Sequence, residues 1–114
     1  MTYTKIKVDV YAREVWVTRD IETAKRLAWR YCKIKITDED FKCKGFTANG
    51  LGNNVVWLHE SSWVQTLAHE MTHVALNIFH HAGASVDTNN QEPTAYLVGY
   101  LTGAAFYWLE GQKP

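Results

Sequence analysis

His69-Glu70-Met71-Thr72-His73 sets two imidazoles four residues apart, with a carboxylate directly after the first. On a helix, side chains at that spacing are neighbours, about 5–6 Å apart at Cβ. Two imidazoles so placed can share one Zn²⁺ at ordinary nitrogen–metal distances. Glu70 is offset from His69 by about 100° of helical rotation. It therefore stands beside such an ion rather than on it, within reach of a proton on a zinc-bound water. With the 5 histidines of this chain and its glutamates, roughly 0.01 accidental matches to the pattern are expected. The bland alternative is a helix whose polar face happens to carry two histidines.

Two histidines do not complete a site, because a catalytic zinc takes three protein ligands and keeps one position open. The metzincin pattern would need Gly at 76 and His at 79; the chain has Leu76 and Phe79, which excludes that class. His80 shares the face of the pair, but it lies about 10.5 Å further along the axis at 1.5 Å per residue. His80 and His81 fit better as helix-end residues favoured by the dipole, and His59 is a minor alternative. Asp87 and Glu92 remain as nearby carboxylates. Glu92 is the favoured third donor, because it opens a following helix that can fold back antiparallel and complete a His₂Glu set. As an acid in a first helical turn, it could equally serve the dipole alone.

Four regions must position these groups. Lys5–Thr18 is β-branched and aromatic with partial alternation, so it predicts strand, with a break near Ala12–Glu14. Asp20 is a helix N-cap, and Ile21, Ala24, Leu27, Ala28 and Tyr31 follow at helical spacing over about 20–32. Ile34–Thr37 could form a short strand and Thr37–Phe41 a turn. Gly45, Gly50 and Gly52, with Asn49, Asn53 and Asn54, mark a turn cluster before the strand Val55–His59. Ser61 or Ser62 is expected to cap a second helix that ends at Gly83. On it Trp63, Val64, Leu67, Ala68, Met71, Val74, Ala75, Ile78 and Phe79 form one apolar arc, with His69, His73 and His80 opposite. A third helix, about Gln91–Glu110, accepts Pro93 in its first turn. It is apolar nearly all round, so it predicts a mostly buried helix. Glu92, Tyr96, Gly99 and Gly103 share one face there. The two glycines would let helices approach closely and bring Glu92 to the imidazoles.

The whole chain has 114 residues, 46% of them hydrophobic and 21% charged, enough for one domain with one core. Formal net charge is zero, which argues against a dedicated nucleic-acid binder. The basic side chains Arg13, Arg19, Lys25, Arg26, Arg30, Lys33 and Lys35 read as a solvated face of the sheet and first helix. No apolar run reaches the roughly 18 residues of a membrane span, and the start lacks the apolar region of a secretory signal. Cys32 and Cys43 make no disulfide framework; two reduced thiols in a cytoplasmic protein are expected.

HEMTH followed by Glu92, nineteen residues after His73, resembles the gluzincin zinc metallopeptidases. Size and element order resemble the minigluzincins, in which a small sheet, a backing helix, an active-site helix and a glutamate helix make the whole protein. The stretch Gln91–Leu101 also resembles small bacteriophage-encoded proteins, which would put the chain in the cytoplasm of a host cell. The resemblance implies His69, His73 and Glu92 as zinc ligands and Glu70 as general base. It also implies that the strand before the active-site helix, Val55–His59, edges the cleft and pairs with extended substrate. The chain departs from the thermolysin pattern at Tyr96, where that pattern has an aspartate behind the first histidine. The Tyr96 hydroxyl or a backbone carbonyl would then orient the histidine; alternatively Tyr96 or Tyr100 would donate to the oxyanion of a tetrahedral intermediate, and the bland alternative for both tyrosines is ordinary packing. Trp57 and Trp63 are more readily core than cleft residues.

The resulting expectation is an α+β fold over 1–114: a small, mainly antiparallel N-terminal sheet with a backing helix, then two packed helices carrying the metal. The expected activity is zinc-dependent hydrolysis of a peptide bond in a peptide or protein substrate, with Glu70 and Tyr96 in catalytic roles. A zinc-containing, non-catalytic binding module is the alternative of a different class. Hydrolysis of a non-peptide amide is a third, because the motif specifies an activated water and not the bond attacked.

Overall fold

The computed structural model describes residues 2–112. In chain order the elements are β1 (Tyr3–Val8), β2 (Arg13–Thr18), α1 (Ile21–Leu27), β3 (Gly45–Gly50), β4 (Asn53–Leu58), α2 (Val64–Ala82) and α3 (Glu92–Gly111). The fold is α+β. The sheet order is β1-β2-β4-β3, with β1/β2 and β3/β4 antiparallel and β2/β4 parallel. No helix among the described residues is long and apolar enough to cross a membrane.

Both faces of the sheet are covered. Ile6, Val8, Val15, Val17, Val56 and Leu58 pack under α2 and α3. Trp16, Ala48, Val55 and Trp57 pack on the other face with Ala24, Leu27, Ala28 and Phe41. Successive strand residues point to opposite faces, so the central strands must be apolar throughout rather than alternating. That is why β2 and β4 read as VWV and VVWL.

The first connection is a 3-10 turn, Asp9–Tyr11, closed by Ala12 at φ 52°, a few residues before the expected break. Asp20 caps α1 as expected, accepting hydrogen bonds from the Thr23 hydroxyl at 2.7 Å and its N–H at 2.9 Å. Those two bonds hold its carboxyl below the usual range. α1 runs on through a π-helical turn, Ala28–Cys32, and stops at Lys33, φ 56°. Cys32 and Cys43 are both unpaired thiols; burial pushes the Cys32 thiol up to about 11.

Residues 33–50 depart in part from expectation. Ile34–Thr37 is not a strand. The turn expected at Thr37–Phe41 is present, as a 3-10 turn over Asp38–Phe41 closed by reciprocal bonds between Thr37 and Asp40. Gly45–Gly50 is no turn cluster but strand β3, paired along its length with β4. The turn itself is only Leu51–Gly52, at φ 55° and 79°, the left-handed pair that matches hairpin twist. β3 therefore forms one end of the sheet, and β4 is internal.

Neither Ser61 nor Ser62 caps α2. Trp63 occupies the N-cap position, and its side chain does not cap the helix. Ser62 instead gives its hydroxyl to the Lys44 carbonyl, and Ser61 N–H donates to His59 Nδ1 at 3.0 Å. The arc of α2 holds from Leu67 to Phe79, but Trp63 (61% exposed) and Val64 lie outside the core. The end at Gly83, φ 75°, is as expected. α3 departs most. Leu97, Leu101 and Ala105 are buried, whereas Tyr96, Tyr100, Phe106 and Tyr107 are exposed. One face of α3 meets α2 and β1; the other faces solvent.

Candidate metal centre

α2 delivers the histidine pair because its two faces differ. Met71, Val74, Ala75 and Ile78 are fully buried, which fixes the rotation of the helix. His69 and His73 are then held on the solvent side. Their rings lie 4.8 Å apart at 78°, and the two Nε2 atoms are 3.2 Å apart. Two nitrogens at that separation, each about 2.0–2.1 Å from one ion, would subtend about 103° at it, near the tetrahedral value. The separation of the two nitrogens therefore suits a shared zinc.

Glu70 turns inward toward β3 and is only 5% exposed. Its Oε1 accepts a hydrogen bond from the Thr47 hydroxyl at 2.8 Å. Its Oε2 lies 3.9 Å from His69 Nε2. Thr47 faces α2 because it stands opposite Val56 in the β3–β4 register, and Val56 belongs to the core beneath that helix. Two residues earlier, a Cβ on Gly45 would lie 2.9 Å from the Trp57 carbonyl oxygen and 3.0 Å from Thr66 Cγ2. Glycine there lets the end strand come in against α2. An open cleft of about 340 Å³ results, lined by Lys44, Gly45, Gln65, Thr66, His69 and Glu70. A second hollow of about 400 Å³ lies between the start of α2 and the end of α3, and neither the histidine pair nor Glu70 lines it.

Glu92 is not brought to the pair. It is the first residue of α3 and exposed. Among the described residues no group of three His, Cys, Asp or Glu side chains is placed to hold an ion. The reason is rotational. α3 packs through Leu97, Leu101 and Ala105, and five residues separate Glu92 from Leu97, about 140° of turn. The glycines expected to form a close seam face open space: a Cβ on Gly99 or Gly103 would meet nothing within 4 Å.

The remaining candidates are engaged elsewhere or exposed. Tyr100 donates its hydroxyl to the Lys7 carbonyl at 2.6 Å, and Tyr96 is 75% exposed; neither hydroxyl meets an imidazole. Asp87 accepts from Asn89 N–H in an exposed turn. His59 pairs with Ser61 at 2.7 Å. His80 lies exposed in the last turn of α2, and the His81 ring lies over Gly52. Val55–Leu58 is not the cleft edge that the resemblance implied; β3 takes that place. Arg19 was read as part of a solvated face, but it donates to the carbonyls of His59 and Ser62, and burial lowers its pKa. Thr47 is the site residue that sequence reasoning missed, because its strand was hidden among glycines and asparagines.

Comparison with protein-family models, with characterised proteins and with solved structures returns no match.

Proposed function

We propose that the chain is a zinc-dependent hydrolase acting on a peptide bond, with His69 and His73 as metal ligands and Glu70 as general base. The observation that carries this reading is the 3.2 Å separation of the two Nε2 atoms, next to a buried carboxylate with one oxygen 3.9 Å from the Nε2 of His69. Zinc bound there would supply Lewis-acid polarisation of the scissile carbonyl and lower the pKa of a water. Glu70 takes the proton of the attacking water on Oε2 and returns it to the leaving amine. Among the described residues no strand lies on the outer side of β3, so β3 offers backbone groups to an extended peptide lying along the cleft.

Glu92 is the third donor we assign from the resemblance; the packing of α3 turns it away from the pair in this structure, so the assignment requires the first turn of α3 to shift when an ion binds. Glu92 follows the exposed connection 83–91, and no hydrogen bond or ion pair holds its carboxylate away from the pair among the described residues. Four residues beyond it, Tyr96 presents an exposed hydroxyl that we assign to the oxyanion. Together His69, Glu70, His73 and Glu92 carry the resemblance to the gluzincins. The open setting of His69, two-thirds exposed as a side chain, favours a catalytic ion over the closed four-ligand site of a structural zinc or a pure binding module. The two free thiols fit a reducing, cytoplasmic compartment.

The test has two arms. Zinc-loaded protein should cleave a mixture of internally quenched peptides, and Glu70→Gln should keep the metal while losing about 10²–10⁴-fold in rate. Cleavage that survives Glu70→Gln would remove Glu70 as the base.

A further inference from the structure

We infer that Thr47 is a positioning residue: its hydroxyl fixes the direction of the Glu70 carboxylate and ties the general base to the strand along which substrate would lie. A carboxylate buried as deeply as Glu70 needs a donor. Among the described residues, the side-chain donor within hydrogen-bond distance is Thr47 Oγ1, on Oε1. Holding Oε1 leaves Oε2 as the oxygen directed to His69. The hydroxyl thus assigns different tasks to two chemically equivalent atoms, one for anchoring and one for taking a proton.

The placement of Thr47 adds a second consequence. β3 is the end strand, and Gly45 brings it tightly against α2. An extended peptide pairing with β3 would therefore sit on the same rigid element that orients the base. The occupant this predicts is an extended peptide backbone rather than a compact small amide.

This inference rests on the hydrolase reading, and the experiment separates the two. Thr47→Val preserves shape and removes the donor; Thr47→Ser keeps the donor. Wild type and both variants are loaded with zinc and assayed on the quenched-peptide mixture. Zinc affinity is measured by competition with a chelating dye, and the Glu70 rotamer is read from crystal structures of the metal-free proteins. Thr47→Val should hold zinc affinity and KM within about twofold while kcat falls about 10–100-fold, as expected for a misaimed catalytic group. Its Glu70 carboxylate should leave the rotamer that faces His69, and Thr47→Ser should restore both kcat and rotamer. If Thr47→Val does not fold, Thr47→Ala carries the same comparison. An unmoved Glu70, an unchanged kcat, or a serine variant as impaired as the valine variant would overturn the inference. A wild type that cleaves nothing would sink the hydrolase reading instead, and the rotamer comparison would still decide whether Thr47 directs Glu70.

Discussion

α2 and α3 lie side by side and bury leucines in the same core, and each is tied at its flank to a strand, α3 by Tyr100 donating to the Lys7 carbonyl, yet only α2 has two faces of clearly different character. Its inner face is closed by Met71, Val74 and Ile78, and its flank is tied to β3 through Glu70 and Thr47. α3 is held along Leu97, Leu101 and Ala105, while Tyr96, Gly99, Gly103 and Tyr107 meet solvent. The contrast separates two properties that composition blurs. Apolar content says that a helix can be buried; a difference between its faces says which way it must turn. α2 has that difference and therefore delivers His69 and His73 in a fixed direction. α3 lacks it, and only the side with Leu97, Leu101 and Ala105 is covered.

The comparison can be broken by mutation. Leu101→Ala and Met71→Ala should each cost about 2–5 kcal/mol in urea unfolding, the range for truncating buried leucine or methionine. Leu101→Ala well below that range would mean that α3 packs less firmly than its buried face implies. A smaller effect is expected at α1, where the cap is a single side chain. Asp20→Ala should cost about 0.5–2 kcal/mol near neutral pH. The folded pKa of Asp20 is lowered, chiefly by the Thr23 hydroxyl and then by its N–H. The cap's contribution is therefore present above the unfolded value of about 3.9 and is lost as pH falls through the lower folded value. A cost that stays constant down to pH 2 would contradict the cap. The smallest effect should come from the outer face of α3: Tyr107, 83% exposed, should change stability by no more than about 0.5 kcal/mol on truncation to Ala. A loss matching Leu101→Ala would show that this face is covered in solution.

The same contrast explains what could be read in advance. α2 was legible from residue types alone, since imidazoles and aliphatics fall on opposite sides at 3.6-residue spacing, and Gly83 stops the helix. The ends of α3 were legible too, from Pro93 in the first turn and the uncharged run to Glu110. Its orientation was not, because tyrosine, glycine and leucine offer no polar contrast. That one ambiguity carried Glu92 and Tyr96 toward the imidazoles in the sequence reading. β3 was hidden for a different reason. Gly45, Asn49 and Gly50 are poor strand formers, and only pairing with β4 and close packing against α2 hold them extended. With that strand unseen, the partner of Glu70 was unseen as well.

The account depends most directly on one ion held by His69 and His73. Metal-free wild type, His69→Ala/His73→Ala and His80→Ala, each checked for native circular dichroism, are titrated with Zn²⁺ alone in a calorimeter. Wild type and His80→Ala should each bind one zinc per chain, and the double variant should bind none at comparable affinity. A folded wild type that takes up no zinc, or a double variant that binds as wild type does, would contradict the account.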